Sequence, residues 1–394
     1  MDQRQLFLRH VAQTSQAPML VEVARAEGCY LYAPDGKRYL DLISGIGVSN
    51  VGHCAPEVVA AVQAQAAQYM HTMVYGEFVL TPQVTLATLL ADQLGPTLDN
   101  VYFVNSGSEA VEGALKLAKK YTGRSEIIAF HNSYHGSTHG ALSVTGAPGL
   151  KEGYGPFLPG VDFVEFGSHA AIDAIHEGVA AVIVEPMQGE AGVRAGTRNW
   201  LYALRTRCDI TGTLLIFDEI QTGFGRTGDL FAFQGLGVIP DILLMAKGMG
   251  GGMPIGAFVS RKEVMQVLTH DPVLGHITTF GGHPVNCAAA LAVLKKILDQ
   301  RLLERVANLE KIIRQELDVP GVLELRGKGL LYAAEVGDFD KVLRVIARCL
   351  EQGLITDWFL HCNTAIRIAP PLVISEDELR DGLRILAAAI TAES

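Results

Sequence analysis

The sequence predicts an α/β protein, with a mostly parallel central sheet in a large domain and a smaller α+β domain beside it. Three observations carry this expectation. Apolar runs of four or five residues recur through the middle of the chain, each stops at polar or glycine-rich residues, and helix-like stretches separate them. Continuous apolar runs suit strands buried on both faces, as in parallel sheets covered by helices. Their alternation with helices gives layered α/β architecture.

The elements follow in order. Hairpin-like pieces at 28–32 and 38–42 flank Pro34-Asp35-Gly36, so residues 1–50 are expected to join the small domain. Val101-Tyr102-Phe103-Val104 then runs into Asn105-Ser106-Gly107-Ser108-Glu109, and Glu126-Ile127-Ile128-Ala129-Phe130 into a His/Gly-rich segment. Residues 180–184 stop at Glu185-Pro186, 213–217 at Asp218-Glu219, and 242–246 at Lys247-Gly248. From Pro284 one long helical pattern runs through Leu291, Leu294, Ile297, Leu298 and Leu302 to about Leu317. Short strands at 322–325 and 331–335, a helix near 339–352 and a strand at 365–368 come next. A last helix opens on a capping box, Ser375 with Glu378. The expected division is 1–50, 51–285 (the large ligand-binding domain) and 286–394 (the small domain).

Composition bounds the function. A length of 394 residues exceeds one small core. The net charge of −10 argues against a nucleic-acid partner, which draws on a basic face, but leaves room for a local anion pocket. The opening residues from Met1 lead into no signal-like apolar stretch, and no run approaches the roughly 18 apolar residues of a membrane span. The six cysteines are scattered without a C-x-x-C pair, which suits buried thiols in a reducing compartment. A cytoplasmic protein is expected.

In open α/β sheets, ligands sit beyond the carboxyl ends of the strands. Five such ends deliver Ser106-Gly107-Ser108, Tyr134-His135-Gly136, Glu185, Asp218 with Gln221, and Lys247. Lys247 closes a buried run and precedes Gly248-Met249-Gly250-Gly251-Gly252. Desolvation there lowers an amine's pKa and makes it nucleophilic; the bland alternative is a surface lysine in a turn. Asp218 ends its strand where a carboxylate needs a partner or a cation. A pyridinium nitrogen is one such partner, and an N-cap or structural salt bridge is the competing reading. Ser106-Gly107-Ser108 opens a helix, where free backbone N–H groups and hydroxyls suit a phosphate. A plain N-cap, with Glu109 completing a capping box, is compatible with that. Neither G-x-x-x-x-G-K-[ST] nor G-x-G-x-x-G occurs. Tyr134 offers an aromatic face, although a lone tyrosine is more often core or rim. His131 and His135 are spaced i, i+4 but lie in a glycine-broken segment, so no metal site is expected.

Together these residues resemble the class III (ornithine/4-aminobutyrate type) pyridoxal-phosphate aminotransferases. The resemblance extends over essentially the whole chain. It rests on Gly52-His53 and residues 105–110, 185–192, 218–228, 247–248, 278–282 and 367–371. It implies pyridoxal 5′-phosphate (PLP) bound on fold type I, a small domain built from both termini, and a homodimer with shared active sites. It also implies roles. Lys247 is the covalent anchor and later proton shuttle, Asp218 pairs with the pyridinium nitrogen, and Gln221 approaches the phenolic oxygen. Gly107 and Ser108, with Ser106 adjacent, bind the phosphate, Tyr134 stacks on the ring, and His135 belongs to the same cofactor shell. Thr279 reaches the phosphate in the partner subunit. Glu190 and Arg367 form a dual-specificity switch, the arginine taking a keto acid's α-carboxylate.

Two departures bear on the substrate. Relatives that handle ornithine, acetylornithine or 4-aminobutyrate usually carry arginine where this chain has Ser137, and ornithine enzymes carry tyrosine where it has Ile46. The implied reaction is ping-pong transfer from an ω-amino acid, diamine or other amine to 2-oxoglutarate or pyruvate. The alternatives are an acetylornithine or ornithine enzyme with a rewired carboxylate site, and an aminomutase or racemase on the same scaffold.

Overall fold

Seven strands build the central sheet of the computed structural model, which describes residues 2–393. Their spatial order is Asn100–Val104, Gly256–Ser260, Ile242–Met245, Leu214–Asp218, Val179–Val184, Glu126–Phe130 and Val161–Val164. Gly256–Ser260 runs antiparallel to both neighbours, and the pairings from Ile242–Met245 out to Val161–Val164 are all parallel. Leu214–Asp218, Ile242–Met245 and Val179–Val184 are buried along their whole length, which is why they read as unbroken apolar runs. All five expected strands are present. The two unexpected ones have weaker signatures: Val161–Val164 is an edge strand carrying the exposed Asp162, and Gly256–Ser260 opens on Gly-Ala, residues of low strand propensity.

The helix Gly107–Thr122 crosses one face of this sheet. Ser106 caps it by accepting from Glu109 N at 3.2 Å, and Gly123, at φ 69°, ends it in the left-handed conformation. Its contact with the sheet is close: a Cβ on Gly113 would fall 2.3 Å from the Phe258 ring. The expected capping box is displaced by one residue. Glu109 Oε2 accepts from Asn105 N at 2.8 Å and Asn105 Nδ2 at 2.9 Å, and so ties down the residue before the cap.

Strands from the two ends of the chain pair with one another. Arg25–Glu27, Tyr30–Tyr32 and Arg38–Asp41 form an antiparallel meander, and Leu354–Ile355 adds to it in parallel beside Arg38–Asp41. A second sheet has the order Glu324–Lys328, Leu331–Glu335, Cys362–Ile368, Trp358–Phe359. The long helix expected from Pro284 is two helices, Pro284–Asp299 and Leu302–Glu316, broken where Arg301 takes φ 52°. The final helix Glu376–Thr391 carries the expected box, with Ser375 Oγ accepting from Glu378 N and Glu378 Oε2 from Ser375 N.

One buried cation joins these parts. The Arg226 guanidinium donates to Asn50 Oδ1, to the Pro370 carbonyl, and to the Leu330 carbonyl at 3.0 Å. Burial pulls it down to about 10. No helix among the described residues is long and apolar enough to cross a membrane.

Candidate active site

The carboxyl ends of the parallel strands open on one cavity. Ser106, Gly107, Ser108, Tyr134, His135, Glu185, Glu190, Asp218, Gln221 and Lys247 all line it. Asn105, Ile220 and Gly252, from segments the sequence marked without giving them a role, also line it, and sequence reasoning missed Val48 and residues 253–255. Residues 253–255 directly follow the glycine run after Lys247, which was the available signal for them.

Lys247 follows its strand Ile242–Met245 after one intervening residue, Ala246, and takes φ 43°. Burial lowers the pKa of its amine, against the opposing pull of Glu190. Asp218, the last residue of Leu214–Asp218, is held from two sides: Oδ2 lies 2.7 Å from His135 Nδ1, and Oδ1 accepts from Ile220 N at 3.0 Å. His135 therefore pairs with a carboxylate, and His131 lies apart from it, 4.0 Å from Glu165. No cluster of three or more His, Cys, Asp or Glu among the described residues is placed to hold a metal.

Glu185 couples two loops of the wall by accepting from Tyr134 N at 3.0 Å and Gly189 N at 2.9 Å. Burial pushes its carboxyl up to about 7, with Asp218 adding to the rise and His135 opposing it. Two glycines permit the close approaches here. A Cβ on Gly189 would fall 1.6 Å from Gln221 Oε1, and one on Gly136 would fall 2.1 Å from Ser108 Oγ.

Behind the cavity, Arg367 and Glu190 form a two-pronged ion pair, with Nη1–Oε1 and Nη2–Oε2 both at 2.9 Å. Gln221 Nε2 reaches Glu190 Oε1 at 3.4 Å, and Leu360 N donates to Oε2 at 3.1 Å. Burial would raise the Glu190 carboxyl, but Arg367 outweighs it and holds the group at about 2. Of the pair, Glu190 lines the cavity and the buried Arg367 does not.

The remaining expected residues lie outside the lining. Ser137 is exposed, with its hydroxyl 3.2 Å from Tyr134 Oη and its N–H donating to Ser108 Oγ at 3.3 Å. Ile46 sits half-buried in a left-handed turn at φ 65°, an unfavourable setting for a β-branched residue. Thr279 is exposed, and its carbonyl accepts from His71 Nε2 at 3.0 Å.

A desolvated lysine, a fixed, buried carboxylate and a helix start that line one cavity suit an aromatic aldehyde phosphate with a ring nitrogen. The sheet and this donor set define a PLP enzyme of fold type I. The family model "Aminotransferase class-III" matches residues 11–390. The chain is 42% identical to the acetylornithine aminotransferase of Methanopyrus kandleri, over 100% of both chains. It is 40% identical to that of Lactiplantibacillus plantarum, over 98% of this chain and 97% of the relative. Among solved structures, the ornithine aminotransferase of Toxoplasma gondii superposes with a TM-score of 0.91 at 33% identity, covering 98% of this chain and 93% of the other. An (S)-enantioselective omega-transaminase from Thermomicrobium roseum gives 0.90 at 31%, covering 100% and 99%. The chain belongs to the class III aminotransferases and uses PLP as its cofactor.

Proposed function

We propose that this aminotransferase takes its amino group from an amine or ω-amino acid whose distal end carries no arginine-bound carboxylate, and passes it to 2-oxoglutarate or pyruvate. The observation that carries the reading is the two-pronged Glu190–Arg367 pair beside Lys247. A donor without a carboxylate at its reacting carbon is served with the pair closed. A keto acid needs the guanidinium that Glu190 covers.

The residues divide the work. Bound PLP supplies an electron sink conjugated to the reacting carbon. Lys247, whose amine burial shifts towards the neutral, nucleophilic form, would hold the cofactor and move the proton at the donor's reacting carbon. Asp218, oriented by His135, would keep the ring nitrogen protonated. The N–H groups at the start of Gly107–Thr122 and the Ser108 hydroxyl would hold the phosphate, and Tyr134 and Gln221, which line the same cavity, would hold the ring.

We also read the enzyme as a homodimer in which Thr279 serves the partner's phosphate. Met70, Met73, Phe78, Val79, Ile277 and Phe280 are exposed apolar residues on two segments joined by the His71–Thr279 and Tyr75–Thr278 hydrogen bonds. A monomer rarely leaves such a patch in water. The division at 50 and 285 and a cytoplasmic location belong to the same reading. The location rests on six unpaired cysteines, of which Cys29 and Cys208 are pushed up to about 12 by burial.

A second reading has a specific basis: relatives near 40% identity are acetylornithine aminotransferases. An aminomutase or racemase would turn over without added keto acid. One experiment separates all three. The PLP form is mixed with single amines, including N-acetylornithine, ornithine, 4-aminobutyrate and putrescine, and loss of the cofactor's visible band is followed with and without keto acid. Borohydride reduction should fix the cofactor on Lys247, and a peptide map without label there would sink the assignment.

A further inference from the structure

We propose that Asp357 is a positioning residue for Arg367, holding the guanidinium by its Nε edge so that departure of Glu190 uncovers a preformed two-donor fork for a substrate carboxylate. The inference rests on the reading that Arg367 receives the keto acid.

The geometry assigns each edge of Arg367 a different partner. Its Nε donates to Asp357 Oδ1 at 2.9 Å, and Nη2 donates to the Trp358 carbonyl at 3.2 Å. The Phe359 ring lies under the guanidinium, 4.3 Å from Cζ to the centroid. Asp357 directly precedes the strand Trp358–Phe359 that pairs with Cys362–Ile368, and Arg367 N donates to its carbonyl at 2.8 Å. Only the Nη1/Nη2 edge is given to Glu190. That edge is the one a carboxylate grips with two parallel bonds.

Charge points the same way. Arg367 and Glu190 are almost wholly buried, and the Asp357 side chain is 16% exposed. A buried guanidinium stripped of its only counter-charge is costly. With Asp357 in place, Glu190 leaves and a substrate carboxylate enters while the arginine keeps one anion throughout. The exchange replaces like with like, and the ring and the carbonyl keep the fork aimed at the cavity.

The test uses the PLP-loaded enzyme, in which 2-oxoglutarate binds but finds no amino group to accept. Calorimetry gives its Kd for the wild type, Asp357→Asn, Asp357→Ala and Arg367→Ala. Single-turnover mixing with a carboxylate-free amine reports the donor side. Loss of one charged hydrogen bond predicts a Kd for Asp357→Ala raised about tenfold or more, with donor rates within about twofold. Asp357→Asn, which keeps an oxygen facing Nε, should recover part of the loss. Unchanged keto-acid binding in both Asp357 variants, or equal losses on the two sides, overturns the proposal. If Asp357→Ala does not fold, Asp357→Asn decides by the same two readouts. Arg367→Ala tests the underlying reading separately: if it leaves Kd unchanged, the arginine is not the keto-acid site and both claims fall. If only Arg367→Ala weakens binding, the inference about Asp357 alone is lost.

Discussion

His135 Nδ1 lies 2.7 Å from Asp218 Oδ2, with the two side chains 0% and 4% exposed. The second carboxylate oxygen is occupied by Ile220 N. The carboxylate is thus fixed in direction before any ring arrives. Asp218→Asn should cut kcat by about 10²–10³, the usual cost of losing a preorganised charge at a reacting centre. His135→Ala removes only the orienting bond, worth about 1.5–3 kcal/mol when a charge is involved, and should lower kcat by about 10–100-fold. Steady-state rates with saturating cofactor check the order. A larger loss in His135→Ala would mean that the histidine does more than orient.

Glu190 gives a pH dependence with a definite sign. Its folded carboxyl sits at about 2, below the roughly 4.3 of an unfolded glutamate. The ion pair therefore stabilises fully above the unfolded value and loses its contribution as pH falls from about 4 towards the folded value. Glu190→Ala should cost about 3 kcal/mol near neutrality, because a buried guanidinium is left short of a partner. Urea unfolding at stepped pH should show the variant with the shallower acid slope. Parallel slopes would mean that the pair adds nothing to stability.

Ser137→Arg tests the donor pocket. A guanidinium beside Tyr134 should bind a donor's carboxylate through charged hydrogen bonds, lowering the KM for N-acetylornithine about tenfold. The KM for putrescine should stay the same or rise. No change for either donor would place the distal end of the substrate elsewhere.

Glu219 is a structural test. Fully buried, it accepts from Ala232 N at 2.6 Å, Phe233 N at 2.8 Å and Thr222 Oγ1 at 3.1 Å. Glu219→Gln turns an NH2 group towards one of these donors. Leaving one or more of them unpaired should cost about 2 kcal/mol, read as a lower Tm without a change in cofactor affinity.

The sequence made the site legible wherever a one-dimensional signal coincides with a three-dimensional one. Lys247 and Asp218 stand out because an apolar run buried on both sides stops at them, and the stop is where a parallel sheet collects its ligand. Gly256–Ser260 escaped because its opening residues resemble a turn, and the break at Arg301 because the apolar spacing continues across it. Asp357 was invisible for a different reason. Its partnership with Arg367 exists only across two paired strands, and no local pattern marks it.

Arg226 has a consequence for taking the molecule apart. Its three contacts come from Asn50, Leu330 and Pro370, which belong to the beginning, the last third and the end of the chain. Asn50 also donates to the Phe224 carbonyl at 2.9 Å, and it packs so closely on the loop after Lys247 that a Cβ on Gly248 would meet its Nδ2 at 2.5 Å. A cut near residue 50 or an exchange of the C-terminal portion with a relative would therefore sever a joint that reaches the lysine's own loop. Chimeras of this chain should work only when the donor supplies all sides of that joint together, so its substrate preference is better redirected by point changes than by swapping modules.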